Sequence, residues 1–168
     1  MKIAVVALLF AASGFAQAVP ATATAACGPE NTNFKVTLDK SQKTLAQPER
    51  GKARVYFFQD AGTGATLGYP TTKLGMDGVW VGANHGNSYF SVSIDPGEHH
   101  LCATLQSSLV AQRVELAHFT AAVGKIYYYR TRLIMSRSME LLDLDSIDSD
   151  QGKYLIASFP LSVSAPKK

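Results

Sequence analysis

The stretch Met76–Cys102, MDGVWVGANHGNSYFSVSIDPGEHHLC, constrains the fold more tightly than any other part of this chain. Asp77-Gly78 is a turn dipeptide, and His85-Gly86-Asn87 interrupts the apolar runs on either side of it. Asp95-Pro96-Gly97 sets a fixed φ and follows it with a residue free to take positive φ. Between these breaks the side chains alternate, with Phe90, Val92 and Ile94 on one face and Tyr89, Ser91 and Ser93 on the other. A period of two is the pattern of a strand with unlike faces, so the stretch predicts three short strands joined by tight connections.

The same pattern extends in both directions. Phe34, Val36 and Leu38 alternate with polar residues as a first, edge-type strand, and Ala53–Gln59 (ARVYFFQ) is rich in β-formers. Thr72–Met76 and Val79–Ala83 form a hairpin about Asp77-Gly78, and Glu98–Gln106 pairs back after Pro96-Gly97. Further strands are expected at Arg113–Ala121, Lys125–Ser136 and Glu140–Ile147, followed by a short helix capped by Ser149 or Asp150 and weakened by Gly152. Without βαβ alternation, these elements predict an all-β antiparallel sandwich of seven to eight strands, Ig-like or prealbumin-like. The breaker-rich segment Asp60–Pro70 contains GTGATLG, one residue away from a dinucleotide fingerprint. No helical pattern follows it, so it reads as a loop.

The N-terminus carries an address. Lys2 precedes the apolar run Ile3–Phe15, and Ala16-Gln17-Ala18 has the small-x-small form of a cleavage site, with later alternatives between Ala21 and Ala26. The run is shorter than the ~20 residues that span a bilayer, so it predicts export rather than anchoring. The expected organisation is a signal peptide over 1–18, an arm and first strand over 19–50, the sandwich over 51–160 and a tail over 161–168. The 168 residues, 46% of them hydrophobic, suffice for one domain with a core. Removing Lys2 leaves 16 − 1 = 15 basic against 13 acidic residues, or +2, spread along the chain, which argues against a nucleic-acid partner.

In an exported chain two cysteines suggest one disulfide, Cys27 to Cys102. The rival is a lipid anchor at Cys27 in an outer-membrane lipoprotein. Thr24-Ala25-Ala26-Cys27 lacks Leu three residues before the cysteine and stands well beyond the apolar run, which disfavours it. The expected location is therefore periplasmic or secreted.

Chemistry is sparse. Glu98 and His100 share a strand face and become metal candidates only if His85 or His118 approaches, because adjacent His99 points the other way. No H-E-x-x-H, paired-cysteine or G-x-S-x-G pattern is present, so the reading is no catalytic residues, no cofactor and no metal. Trp80, Tyr89, Tyr127 and Tyr129 oppose the expected core residues. Exposed, they would form a platform for glycan or an envelope protein; covered, they would be core.

GKARVYFF, MDGVWVGANHGNSYFSVSIDPGEHHL and AAVGKIYYYR together resemble the bacterial domain of unknown function 2846. They supply an aromatic strand, a G-x-x-Y strand, a P-G-x-H turn and a G-K-x-Y-Y strand in order, over roughly Gly51–Ala157. The resemblance implies an exported β-sandwich, often lipidated, with no established activity. PEGA-type and prealbumin-like modules are similar at the level of fold alone.

Overall fold

A computed structural model describes residues 26–41, 45–61, 70–106, 114–136 and 139–167. Its strands are β1 (Phe34–Asp39), β2 (Ala53–Asp60), β3 (Thr71–Met76), β4 (Val79–His85), β5 (Ser88–Ile94), β6 (Gly97–Leu105), β7 (Val114–Ala121), β8 (Ile126–Ser136), β9 (Met139–Ser146) and β10 (Leu161–Pro166). One helix, α1 (Ser149–Ser158), precedes β10. The strands form a six-stranded sheet, β1-β10-β5-β2-β8-β9, and a four-stranded sheet, β4-β3-β6-β7. The all-β sandwich expected from the alternation is present, with ten strands among the described residues.

The hairpin of the opening stretch forms as its turn chemistry requires. Asp77 and Gly78 both take positive φ, 52° and 85°, and Met76 pairs with Val79 across them. That is the two-residue turn whose twist matches antiparallel strands. The two sheets enclose a core of Val55, Phe57, Leu74, Met76, Phe90, Leu101 and Ala103, one residue in two from each contributing strand. The central strand β2 is buried on both faces. Its other set, Tyr56 and Phe58, packs with Tyr89, Tyr128, Leu155 and Ile156 under α1. The molecule therefore has three layers.

Three expectations are corrected. The residues assigned to a C-terminal tail include β10, which pairs with β1 along its length and bridges β5 at Leu161 and Tyr89. The six-stranded sheet is mixed rather than antiparallel, because β2 and β8 run parallel over seven register pairs, Arg54–Asp60 beside Ile126–Arg132. The helix cap is Asp148, whose side chain accepts the amides of Asp150 and Gln151, both at 2.9 Å. The GTGATLG segment lies outside the described residues.

Candidate binding cleft

The N-terminal arm crosses the outer face of the smaller sheet and is fixed there at several points. Cys27 and Cys102 form the expected disulfide across 75 residues of sequence. Gly75 pairs with Cys102, and a Cβ on Gly75 would lie 2.9 Å from Ala26 O and 3.1 Å from Cys27 Cα, so glycine lets the arm lie flat. Further along, Trp80 Nε1 donates to Pro29 O at 2.7 Å. Lys73, only 3% exposed, donates from Nζ to Thr32 O at 3.0 Å and Glu30 O at 3.3 Å, and sits 4.4 Å over the Trp80 ring. Burial lowers the Lys73 pKa, while Glu30 pulls it back up. Carbonyls and an aromatic face are the groups that make a buried ammonium tolerable.

This arrangement decides the aromatic platform. Trp80 lies under the arm, and Tyr89 is buried beneath α1 at 2% exposure. Tyr129, 6% exposed, belongs to the inter-sheet core, and half-buried Tyr127 packs against that core. Tyr127 Oη donates to Thr120 O at 3.1 Å and accepts from the Ala122 amide at 3.0 Å. The four rings are not brought together on an open face. For Trp80 and Tyr89 the cause is the extra layering, since an arm or a helix covers their outer sheet face. Tyr127 and Tyr129 instead point inward, so the expected facing of β8 is reversed.

The histidines end in separate roles. His99 Nδ1 meets Asp77 Oδ2 at 2.6 Å, and its Nε2 meets Asp95 O at 2.9 Å. Asp77 Oδ1 accepts the His100 amide at 2.8 Å. On the exposed face His100 and His118 are register partners, with ring centroids 6.4 Å apart, and Glu98 Oε1 lies 3.7 Å from His100 Nε2. His85 is elsewhere, its Nδ1 3.1 Å from Thr71 Oγ1. Among the described residues no group of three His, Cys, Asp or Glu is placed to hold a metal ion.

A concave feature lies between β5 and β10. After the single bridge at Tyr89 and Leu161, β5 and β10 part and leave a cavity of about 390 Å³. Its walls are the consecutive residues Tyr89–Val92 of β5 and Leu161–Ser164 of β10, and Ala46, Tyr56 and Val81 complete the lining. The volume falls in the lower part of the range of ligand sites. No carboxylate, ammonium or guanidinium lines it. Tyr56 is held in place by Ala46, whose amide donates to the phenol oxygen at 2.6 Å and whose carbonyl accepts from it at 3.1 Å. Ser91 Oγ accepts from Arg54 Nη1 at 3.0 Å. Opposite, Ser162 Oγ donates to Ala83 O at 3.0 Å, and Ser164 Oγ accepts the Ala83 amide at 3.1 Å. These bonds tie β10 to β4 and so draw it away from β5.

This cleft is not among the sites expected from the sequence. Its trace there is the pair of Ser-Val-Ser tripeptides, Ser91-Val92-Ser93 and Ser162-Val163-Ser164, the second of which falls in the expected tail.

The class the fold defines is a three-layered β-sandwich. A family model described as protein of unknown function (DUF2846) matches residues 49–142, more than half of the chain, and the chain belongs to that family. The match runs from just before β2 into β9, so the arm, β1, α1 and β10 lie outside it. No curated protein matches, and no solved structure does. No helix among the described residues is long and apolar enough to cross a membrane.

Proposed function

We propose that this protein is an exported, non-catalytic β-sandwich of the bacterial cell envelope that works by binding or scaffolding. The observation that carries the reading is the Cys27–Cys102 disulfide, because such bonds persist in oxidising compartments. The leader pattern from Lys2 to Ala18 supports the same compartment. A disulfide at Cys27 also leaves no thiol there for lipidation, which favours a periplasmic or secreted protein. Binding is supported by the uncharged cleft between β5 and β10.

The test is expression of the full chain in a bacterium, fractionation, and intact mass under non-reducing conditions. The expected product is found outside the cytoplasm, cut at or soon after Ala18, and two hydrogens lighter than the dithiol. Cytoplasmic retention with both thiols free, or an acyl group on Cys27, would overturn the proposal.

A further inference from the structure

We infer that the gap between β5 and β10 is a docking site for an extended, uncharged peptide segment that adds as a strand in the plane of the larger sheet. The inference gives a partner class to the binding role proposed above and rests on that reading.

A cavity on the face of a strand is lined by every second residue. This one is lined by Tyr89, Phe90, Ser91 and Val92 in unbroken order, and by Leu161 to Ser164 likewise. It therefore lies between two strand edges. The backbone direction agrees. The Tyr89 amide donates to Pro160 O at 3.1 Å, so alternation turns the peptide groups of Ser91 and Ser93 toward the same edge. On β10 the Lys167 amide donates to Asn33 O at 2.7 Å on the β1 side, which turns the groups of Ser164 toward β5. Among the described residues no strand pairs with that edge of β5 beyond Tyr89. Backbone groups at an open edge are a template for another strand, and peptide recognition by strand addition uses them in this way.

The walls set the chemistry of the occupant. One face of an inserted strand would meet Tyr56 and Tyr89 on the helix side, and the other would meet Val81, Phe90 and Val92 toward the inter-sheet core. The lining side chains are uncharged and the nearest cation, Arg54, is already engaged by Ser91 and Ser93, so a charged residue entering would be desolvated without a free partner in the walls. Proline would remove donors that the edges require. The matching segment is uncharged and proline-free, with small apolar side chains on its inner face and hydroxyl or aromatic ones on its outer face.

The test selects from a random decapeptide display library on the immobilised full chain. Binding is then followed by exchange of the Ser91 and Ser93 amides in nuclear magnetic resonance. Selected peptides should be uncharged and proline-free in the middle, should slow exchange at both amides by at least about tenfold, and should bind at least about tenfold more weakly to Ser91→Trp, whose indole would fill the gap. If Ser91→Trp does not fold, Val163→Trp on the opposite wall gives the same comparison. The inference is overturned if no peptide is enriched, if the peptides are charged, or if the filled variant retains them. It also fails if Ser91 and Ser93 exchange as slowly in the free protein as Phe90 and Val92, or if chitotriose protects these amides and peptides do not. Each outcome is independent of where the protein is exported.

Discussion

Asp77 shows how much one residue at a turn can organise. Its positive φ closes the β3–β4 hairpin, its amide donates to His100 O at 3.0 Å, and its two carboxylate oxygens hold the His100 amide and the His99 ring. Burial alone would raise the Asp77 pKa, but the His100 amide and His99 outweigh it and hold the carboxyl below its ordinary range. For His99, burial favours the neutral ring, and the Asp77 and Asp95 contacts overcome it and raise the pKa. A raised histidine stabilises the fold fully below its unfolded pKa of about 6.5, and that contribution is lost as pH rises through the folded value. A depressed aspartate stabilises above its unfolded pKa of about 3.9 and loses its contribution as pH falls through the folded value. The pair therefore contributes most between about pH 4 and 6.5. Because the Asp77 side chain is 43% exposed, solvent screens the interaction. Asp77→Asn, which keeps a residue tolerant of positive φ, should cost about 1 kcal/mol at pH 5 and less at pH 8, read by urea unfolding. In the same variant the His99 titration should move to lower pH. An unmoved titration would mean that Asp77 acts through the backbone alone.

Helix α1 covers the outer face of the larger sheet, and its contact residue is the one that weakens it as a helix. A Cβ on Gly152 would overlap the ring of Tyr128, so the helix axis approaches the tyrosine layer only because that side chain is missing. Gly152→Ala gains up to about 1 kcal/mol in helix propensity, yet the forced overlap costs more, typically about 1–3 kcal/mol. A net loss of stability on thermal unfolding is expected. Gly152→Ala combined with Tyr128→Leu should recover part of it, and stabilisation by the single change would show that the helix is free to lift. Gly152 was legible as a weak point but not as a contact, since its partner is 24 positions away and the sheet had first to place Tyr128 on that face. The same limit explains the other errors. Strands β5 and β6 were readable from period and turn chemistry, and β2, buried on both faces, from its run of β-branched and aromatic residues. β10 was not, because the alternation of Leu161–Ser164 is short, ends at Ala165-Pro166 and has no turn signal tying it to a neighbouring strand; its partner β1 lies more than 120 residues earlier. Parallel pairing of β2 with β8 joins segments about 70 residues apart and leaves no local trace. The cleft depends on β10 and was hidden with it.

At the scale of the whole molecule, the arm lies outside the three layers formed by the two sheets and α1, and the disulfide joins it to the smaller sheet. Closing a loop of 75 residues restricts the unfolded chain, and cross-links of this kind contribute about 2–4 kcal/mol. The arm is held independently by Trp80, Lys73 and the Ala26 carbonyl, which accepts from the Gly78 amide at 3.3 Å. The two contributions can be separated because Trp80 is the single tryptophan of the chain and its indole bonds to the arm itself. Replacing both cysteines with alanine should lower stability by about 3 kcal/mol in urea unfolding. If the disulfide is what keeps the arm on the sheet, the folded double variant should also show red-shifted, more readily quenched Trp80 emission. Emission unchanged alongside the full loss of stability would place the effect in the unfolded chain and leave Lys73 and Pro29 as sufficient anchors. Unchanged emission and unchanged stability together would contradict the staple as a stabilising element. Lys73→Met provides the converse: it removes the ammonium bonded to Glu30 O and Thr32 O and stacked 4.4 Å over the Trp80 ring while keeping the disulfide, so a shift of Trp80 emission there reports the loss of the Lys73 contacts, carbonyl and ring together.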